Sequence, residues 1–349
     1  MIEIGIIGCG FIGTIHSRAI KGVVGAGLVD ASVVATCDVD LERARASARP
    51  HGAALATTDP HELLDAVDAV WICTPTSSHR GLVEAAAAAG VALLCEKPLA
   101  TSLEDAEAMA AAVAAAGIPA QVGLVLRTAP AYQAVVDLVR SGSLGRPMAV
   151  VFRDDQFLPV RGHYASTWRG EVSIAGGGTL LEHSIHDVDV LSWLLGEVTS
   201  VSARTAAFAA LPGIEDVAVV TLTYASGAVA TLASVWHQVL TRPSTRSLEV
   251  ICEDGIVAVT DEYTGPLTVT TDAGIEERAC PYPDWVDGLG MRGELGAAAA
   301  GYAPQARAFL DALAAGRPPA PGLGVAVAAH RIAAAAYRSA ADGGAPTAP

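Results

Sequence analysis

Basic residues are scarce. The chain carries 22 Lys and Arg against 37 Asp and Glu, a formal net charge of −15 over 349 residues. Binding to nucleic acid or to an anionic membrane starts from a basic surface, so neither partner is expected. Charge of either sign is also sparse, at 17% of residues against 52% apolar. That composition excludes a disordered chain and supplies a core for two domains. Long apolar runs are missing: the longest uncharged stretch, 108–126, is broken by Gly117-Ile118-Pro119, so it reads as helix, turn and strand and not as a membrane span. The N-terminus lacks a basic n-region and an Ala-x-Ala cleavage site and begins directly as a strand, so no secretory leader is read and a cytoplasmic protein is expected. None of the six cysteines forms a C-x-x-C pair, which argues against structural zinc and a disulfide framework and for buried free thiols. No H-x-x-x-H or other closed ligand set appears, since His183 and His186 lack a third ligand, so no metal is expected. G-x-S-x-G is absent too, and with it support for a hydrolase.

What is present is an ordered series. Residues 3–7, 32–37, 69–73, 91–95 and 120–125 are apolar nearly throughout, as strands covered on both faces are, and helical patterns fill the gaps. Asp59-Pro60-His61-Glu62 supplies an N-cap, a proline at the first helical position and a capping acid. This alternation predicts a doubly wound parallel sheet of the Rossmann type over residues 1–125. Beyond Arg127 the pattern changes to helices at 131–140, 179–195, 303–315 and 325–341, with strands at 148–152, 198–206, 218–224, 229–236, 247–252, 256–260 and 267–271. An α+β domain with a large, mostly antiparallel sheet is expected over 126–349, ending in a frayed tail at 342–349. The alanine-rich stretches show no fixed period and are not repeats.

Gly8-Cys9-Gly10-Phe11-Ile12-Gly13 follows the first strand and opens a helix near Phe11. In that context the glycines serve a dinucleotide: Gly8 for the tight turn, Gly10 for approach of the pyrophosphate, Gly13 for close packing, with phosphates at the helix N-terminus. Phe11 and Ile12 lie on the same element. Asp38 ends the second strand, where an acid accepts hydrogen bonds from the ribose hydroxyls; Asp40 and Glu42 beside it would repel a 2′-phosphate, so NAD is preferred over NADP. Asp38 as a plain loop acid or helix N-cap is the alternative. Thr74, Pro75 and His79 follow the third strand, and Glu96-Lys97-Pro98 the fourth, at the edge where ligands of such sheets sit. Lys97 therefore points toward the nicotinamide region, and Pro98 sits at a sharp exit suited to a cis bond.

These residues, with Gln121-Val122-Gly123, Arg127, 142–147, Gly176-Gly177-Gly178-Thr179-Leu180-Leu181-Glu182, Ile185-His186-Asp187-Val188-Asp189, Trp193-Leu194-Leu195-Gly196, Asp216-Val217-Ala218 and 309–318, resemble the Gfo/Idh/MocA oxidoreductases, the family of glucose-fructose oxidoreductase and inositol dehydrogenase, over nearly the whole chain. The resemblance implies a lysine that binds the reacting hydroxyl (Lys97), a histidine that takes its proton (His186) and an aspartate that orients it. Glu182 stands at the aspartate position. The resemblance also implies a homodimer or homotetramer.

The residues support that chemistry directly. Glu182 and His186 are four apart in an expected helix and so share a face; His183 and Asp187 form a second such pair, read as a solvated or interdomain contact. A hydride leaving a secondary alcohol carbon needs a base, His186, and a cation beside the developing alkoxide, Lys97. Arg127, Asp154, Tyr164, Trp168, Arg169, Trp236 and His237 are candidates for the pocket wall, each equally able to serve packing or a salt bridge. The expected activity is an NAD-dependent dehydrogenase of a sugar or cyclitol. Alternatives are an NAD-dependent glycosidase, disfavoured because its pattern places a histidine in the glycine run, and a non-catalytic NAD-binding regulator, disfavoured by the presence of both Lys97 and His186.

Overall fold

The computed structural model describes residues 1–162, 164–260 and 263–349. They form two units. The first comprises Met1–Ala100, Glu104–Val125 and Pro283–Val327; the second comprises Thr101–Leu103, Leu126–Tyr282 and Ala328–Pro349.

In the first unit the chain alternates β1 (Ile2–Ile7), α1 (Phe11–Gly25), β2 (Ala31–Cys37), α2 (Leu41–Ala48), β3 (Leu55–Thr57), α3 (Pro60–Leu64), β4 (Ala69–Ile72), α4 (His79–Ala89), β5 (Ala92–Cys95), α5 (Leu103–Ala116) and β6 (Ala120–Val122). The strands form one parallel sheet in the order β3-β2-β1-β4-β5-β6. β4 and β5 are buried at every position, as their unbroken apolar sequences require. Asp59 caps α3, accepting the His61 N–H at 2.9 Å, with Pro60 at the first helical position.

The second unit runs through α6 (Pro130–Arg140), β7 (Pro147–Phe157), α7 (Val172–Ala175), α8 (Ile185–Leu195), β8 (Val198–Ala206), β9 (Val217–Tyr224), β10 (Val229–His237), β11 (Thr245–Cys252), β12 (Ile256–Val259), β13 (Leu267–Thr271) and β14 (Gly274–Arg278). Its sheet has the order β14-β13-β12-β11-β7-β10-β9-β8 and is antiparallel except where β7 meets β10. One face packs on α6, α8 and the end of the last helix through Tyr132, Val136, Leu191 and Ile332. The other is open: Val151, Val219 and Val229 are 48%, 47% and 39% exposed.

Three further helices follow: α9 (Asp284–Asp287), α10 (Gly293–Ala314) and α11 (Leu323–Ala341). α9, α10 and the start of α11, within Pro283–Val327, fall in the first unit, whereas the expected boundary gave everything after 125 to the second domain; the rest of α11 lies in the second unit as expected. Ala306, Phe309 and Leu310 of α10 pack on Ile4, Ile6, Trp71 and Leu94, with the Phe309 ring edge-on to Trp71 at 5.0 Å. Pro321 also accepts the Val122 N–H at 2.9 Å. The expected frayed tail is corrected as well: Thr347 and Val201 exchange backbone hydrogen bonds, both at 2.9 Å. Among the described residues no helix is long and apolar enough to cross a membrane.

Candidate active site

β1, β4 and β5 lie parallel with Ile7, Ile72 and Cys95 in register, so the Gly8 loop, Thr74 and Glu96-Lys97 leave the sheet along one edge. At that edge Gly8 takes a φ of +92°, and a Cβ there would sit 2.6 Å from the Cys73 backbone. A Cβ on Gly13 would meet the Gly8 carbonyl at 1.9 Å, so α1 packs on the loop as only glycine permits. Gly10 differs: nothing lies within 4 Å of its added Cβ. Of these three glycines, the one without a protein neighbour is the one expected to face a ligand. α1 has no side-chain cap and no acid in its first turn, so its first N–H groups are left for an anion. Phe11 is 46% exposed beside them and Ile12 half-buried.

Asp38 is buried and held by the N–H groups of Cys9, at 2.8 Å, and Asp40, at 2.9 Å. Each oxygen keeps a lone pair for a ribose hydroxyl. The cap of α2 is Asp40, which leaves Asp38 outside that role. These residues fit a dinucleotide. Thr74 fits it too, because its Oγ1 is buried without a hydrogen-bond partner in the described structure.

His79 and Glu96, expected at the cofactor, are both tied into the protein by their own hydrogen bonds. His79 is fully buried, with Nδ1 3.1 Å from the Pro98 carbonyl and 3.2 Å from that of Leu99, and Nε2 3.0 Å from that of Thr74. It laces two strand exits together, and burial pushes its pKa down against the pull of those carbonyls. Glu96 is also buried, 2.7 Å from His16 and accepting the Lys97 backbone N–H at 3.1 Å. Lys97 itself is half-buried, and the Lys97–Pro98 bond is cis.

In the second unit the glycine triplet is packed on every side. Added Cβ atoms would fall 2.6 Å from the Thr101 backbone at Gly176, 2.5 Å from the Tyr337 hydroxyl at Gly177 and 1.8 Å from the Glu215 carbonyl at Gly178. The single long helix expected over 179–195 is corrected. Thr179–His183 is one wide π-helical turn, closed by the Ser184 N–H on the Thr179 carbonyl, and α8 starts only at Ile185. Glu182 and His186 therefore lie on either side of an interruption, and the shared-face argument for an unbroken helix does not hold. Both are buried, and Glu182 accepts from Arg169 Nε at 2.6 Å. Arg169 in turn stacks on Trp168, 4.7 Å from its ring centre.

Several expected pocket-wall residues have other duties. Asp154 is fully buried between Arg246, at 3.3 Å, and His183, at 3.1 Å. Burial alone would raise its pKa, but those two groups hold its carboxyl well below the usual range. Asp187, fully buried against Arg246 Nε at 2.8 Å, goes the other way: burial and then the Asp154 charge push it well up. The His183–Asp187 pair thus belongs to a buried nest around Arg246, not to a solvated surface. Arg127 is held in a fork by both oxygens of Asp189, at 2.7 and 2.8 Å, and lies over Trp193. Trp236 is 3% exposed in a small apolar cluster with Leu158, Ala175 and Ile214. His237, the next residue on the same strand, points to the opposite sheet face, 3.7 Å from Asp155. Neighbours on a strand cannot line one wall. Tyr164 stacks on Phe157, 5.3 Å away.

Comparison with known proteins decides the affiliation. Residues 2–124 match the model of an oxidoreductase family with an NAD-binding Rossmann fold, and residues 132–258 match a GFO/IDH/MocA C-terminal domain. Inositol 2-dehydrogenase 2 of Paenarthrobacter aurescens is 33% identical over 91% of this chain and 89% of its own length. The chain belongs to the Gfo/Idh/MocA oxidoreductase family. D-apiose dehydrogenase of Paraburkholderia graminis is 37% identical over 64% of this chain, a match that spans 57% of that protein. An oxidoreductase from Agrobacterium radiobacter, solved with NAD+, L-tartaric acid and magnesium, superimposes over 99% of this chain and 98% of its own with a TM-score of 0.84 at 25% identity.

For a Gfo/Idh/MocA member, three residues stand out that sequence reasoning passed over. Glu215 is buried and accepts from Gly178 N–H at 2.7 Å, Leu180 N–H at 2.9 Å and the Tyr337 hydroxyl at 2.9 Å, fixing the start of the turn that carries Glu182. Burial raises its pKa although these donors pull it down. Arg246 organises the nest under that turn. His16 is hydrogen-bonded to Glu96, the residue before Lys97. For Glu215 the signal was adjacency to the family-like Asp216-Val217-Ala218; Arg246 and His16 left none in the local sequence.

Proposed function

We propose that the protein is an NAD-dependent dehydrogenase that oxidises a secondary alcohol of a sugar or cyclitol. The observation that carries this reading is Lys97, one of two lysines in the chain, leaving β5 at the same sheet edge as the open face of Gly10, Asp38 and Thr74. Bound NAD supplies a hydride acceptor. Lys97 offers charge to the alkoxide that develops as hydride departs, and His186 takes the hydroxyl proton, a task suited to an imidazole at neutral pH. Glu182, oriented by Arg169, accepts a hydrogen bond from a substrate hydroxyl. The named relatives act on an inositol and on apiose, both polyols, which supports the substrate class. The open valine-bearing sheet face supports a homodimer or homotetramer, and six free buried cysteines support a reducing cytoplasm.

The test is NADH formation over a panel of free sugars and inositols, run with NAD and with NADP. Turnover with at least one polyol and preference for NAD are expected. Tight NAD binding without turnover on the whole panel would favour the regulator, and release of an aglycone without net NADH the glycosidase. Lys97→Ala and His186→Ala should each lower kcat by about 10²–10⁴-fold while NAD binding is kept. Near-normal turnover in either variant refutes that residue's role.

A further inference from the structure

His16 lies on α1, the helix that begins at the cofactor loop, and it is fully buried. Its Nε2 is 2.7 Å from Oε1 of Glu96, itself only 3% exposed. The other carboxylate oxygen of Glu96 accepts the backbone N–H of Lys97 at 3.1 Å. One hydrogen-bonded path therefore runs from the dinucleotide helix through two buried side chains to the backbone of the lysine. Both ends are clamped. The Tyr302 ring stands edge-on to His16 at 4.9 Å. Opposite, Gly123 leaves just enough room for the carboxylate, since a Cβ there would fall 2.7 Å from Oε1 of Glu96.

A lone buried Glu beside a lysine has several ways to turn, including toward the ammonium group itself. With the imidazole on one oxygen and the Lys97 N–H on the other, the carboxylate is held in one orientation. Cys73, Cys95 and His79 also feel its charge; burial pushes the pKa of both thiols up and that of the imidazole down. These three groups therefore offer Glu96 no charged partner.

We propose that His16 is a positioning residue for Lys97: by fixing the Glu96 carboxylate it sets the backbone from which the lysine reaches its substrate, and it ties that setting to the helix that receives the cofactor. This rests on Lys97 having the catalytic role given above. A displacement of about 1 Å at a reacting group costs on the order of 10²-fold in rate, so so small a device can matter.

The experiment uses full-length, NAD-loaded protein with isotopically labelled lysine. The chain has only Lys21, which is exposed, and Lys97, so two side-chain signals report. In His16→Leu, which cannot donate, the Lys97 signal should move while Lys21 stays; His16→Gln, which can donate to the same oxygen, should keep it near the wild-type position. Gly123→Ala, which pushes on Glu96 from the other side, should displace it as His16→Leu does. In turnover, His16→Leu should lower kcat about 10–100-fold with KM and NAD affinity little changed, and His16→Gln should restore most of the loss. A Lys97 signal unmoved in folded His16→Leu or Gly123→Ala overturns the proposal whatever the activity. So does equal loss in the Leu and Gln variants. In wild-type protein the His16 Nε2 proton should be present and protected from exchange, and its absence overturns the contact itself. If the lysine signals behave as stated but no polyol turns over, the proposed activity fails and the positioning role stands.

Discussion

The cofactor edge of the first unit and the charged nest of the second are built in opposite ways. The cradle is made of backbone: Gly8, Gly10 and Gly13 act by what they leave out, and Asp38 is held by two N–H groups. The nest is made of side chains. Asp154 of β7, His183 of the π turn, Asp187 of α8 and Arg246 of β11 meet in the interior, and the Arg246–Asp154 pair joins residues 92 apart in sequence. A backbone site needs its residues adjacent and in order. A side-chain site needs only the topology that brings its parts together, so its members can lie anywhere along the chain.

Substitutions should separate the two designs. The largest effect is expected from Arg246→Leu, which leaves two buried carboxyl groups without their cation; by the usual cost of breaking a buried pair it should lower stability by about 3–5 kcal/mol, read from urea unfolding. Little change would mean that the nest does not support the fold. Next comes Gly10→Ala. Since its Cβ meets no protein atom, the unfolding midpoint of the NAD-free protein should stay within about 0.5 kcal/mol of wild type, whereas NAD affinity should fall about tenfold or more. Equal loss of both would show that Gly10 serves the fold and not the ligand.

The smallest effect is electrostatic. Burial, with a contribution from Lys21, lowers the His51 pKa from 6.5 to about 4. Between those values the unfolded chain binds a proton that the folded protein refuses. This contribution to stability is present above about pH 6.5 and is lost as pH falls toward 4. In His51→Gln the fall of Tm over that window should be shallower; an unchanged slope assigns it to other groups.

The same contrast explains what the sequence made legible. The glycine run, Asp38 and the strand ends could be read because each is a local pattern with a local cause. The break at Ser184 could not, because Leu181, Ile185, Val188, Leu191 and Leu195 continue a helical apolar pattern straight through it. The wide turn is stabilised from outside, by the Glu215 carboxylate on the N–H groups of Gly178 and Leu180. Trp236 and His237 show a simpler limit: both suit a sugar pocket, but strand alternation sends them to opposite faces, so they do not share one wall. The place of α10 in the first unit is not legible either, because its alanine-rich sequence carries no mark of the surface it covers.

That last helix bears on how the protein comes into being. The slot beside Trp71 is filled by Phe309, so the cofactor-binding half is interrupted in the chain by most of the other half. During synthesis β1 to β6 emerge early with one side of their apolar sheet still lacking its cover, and that cover arrives only after some 160 intervening residues have left the ribosome. The second sheet can close on its own strands sooner. Neither half is complete before the chain's final stretch: Pro283–Val327 closes the first, and Ala328–Pro349 then closes the second.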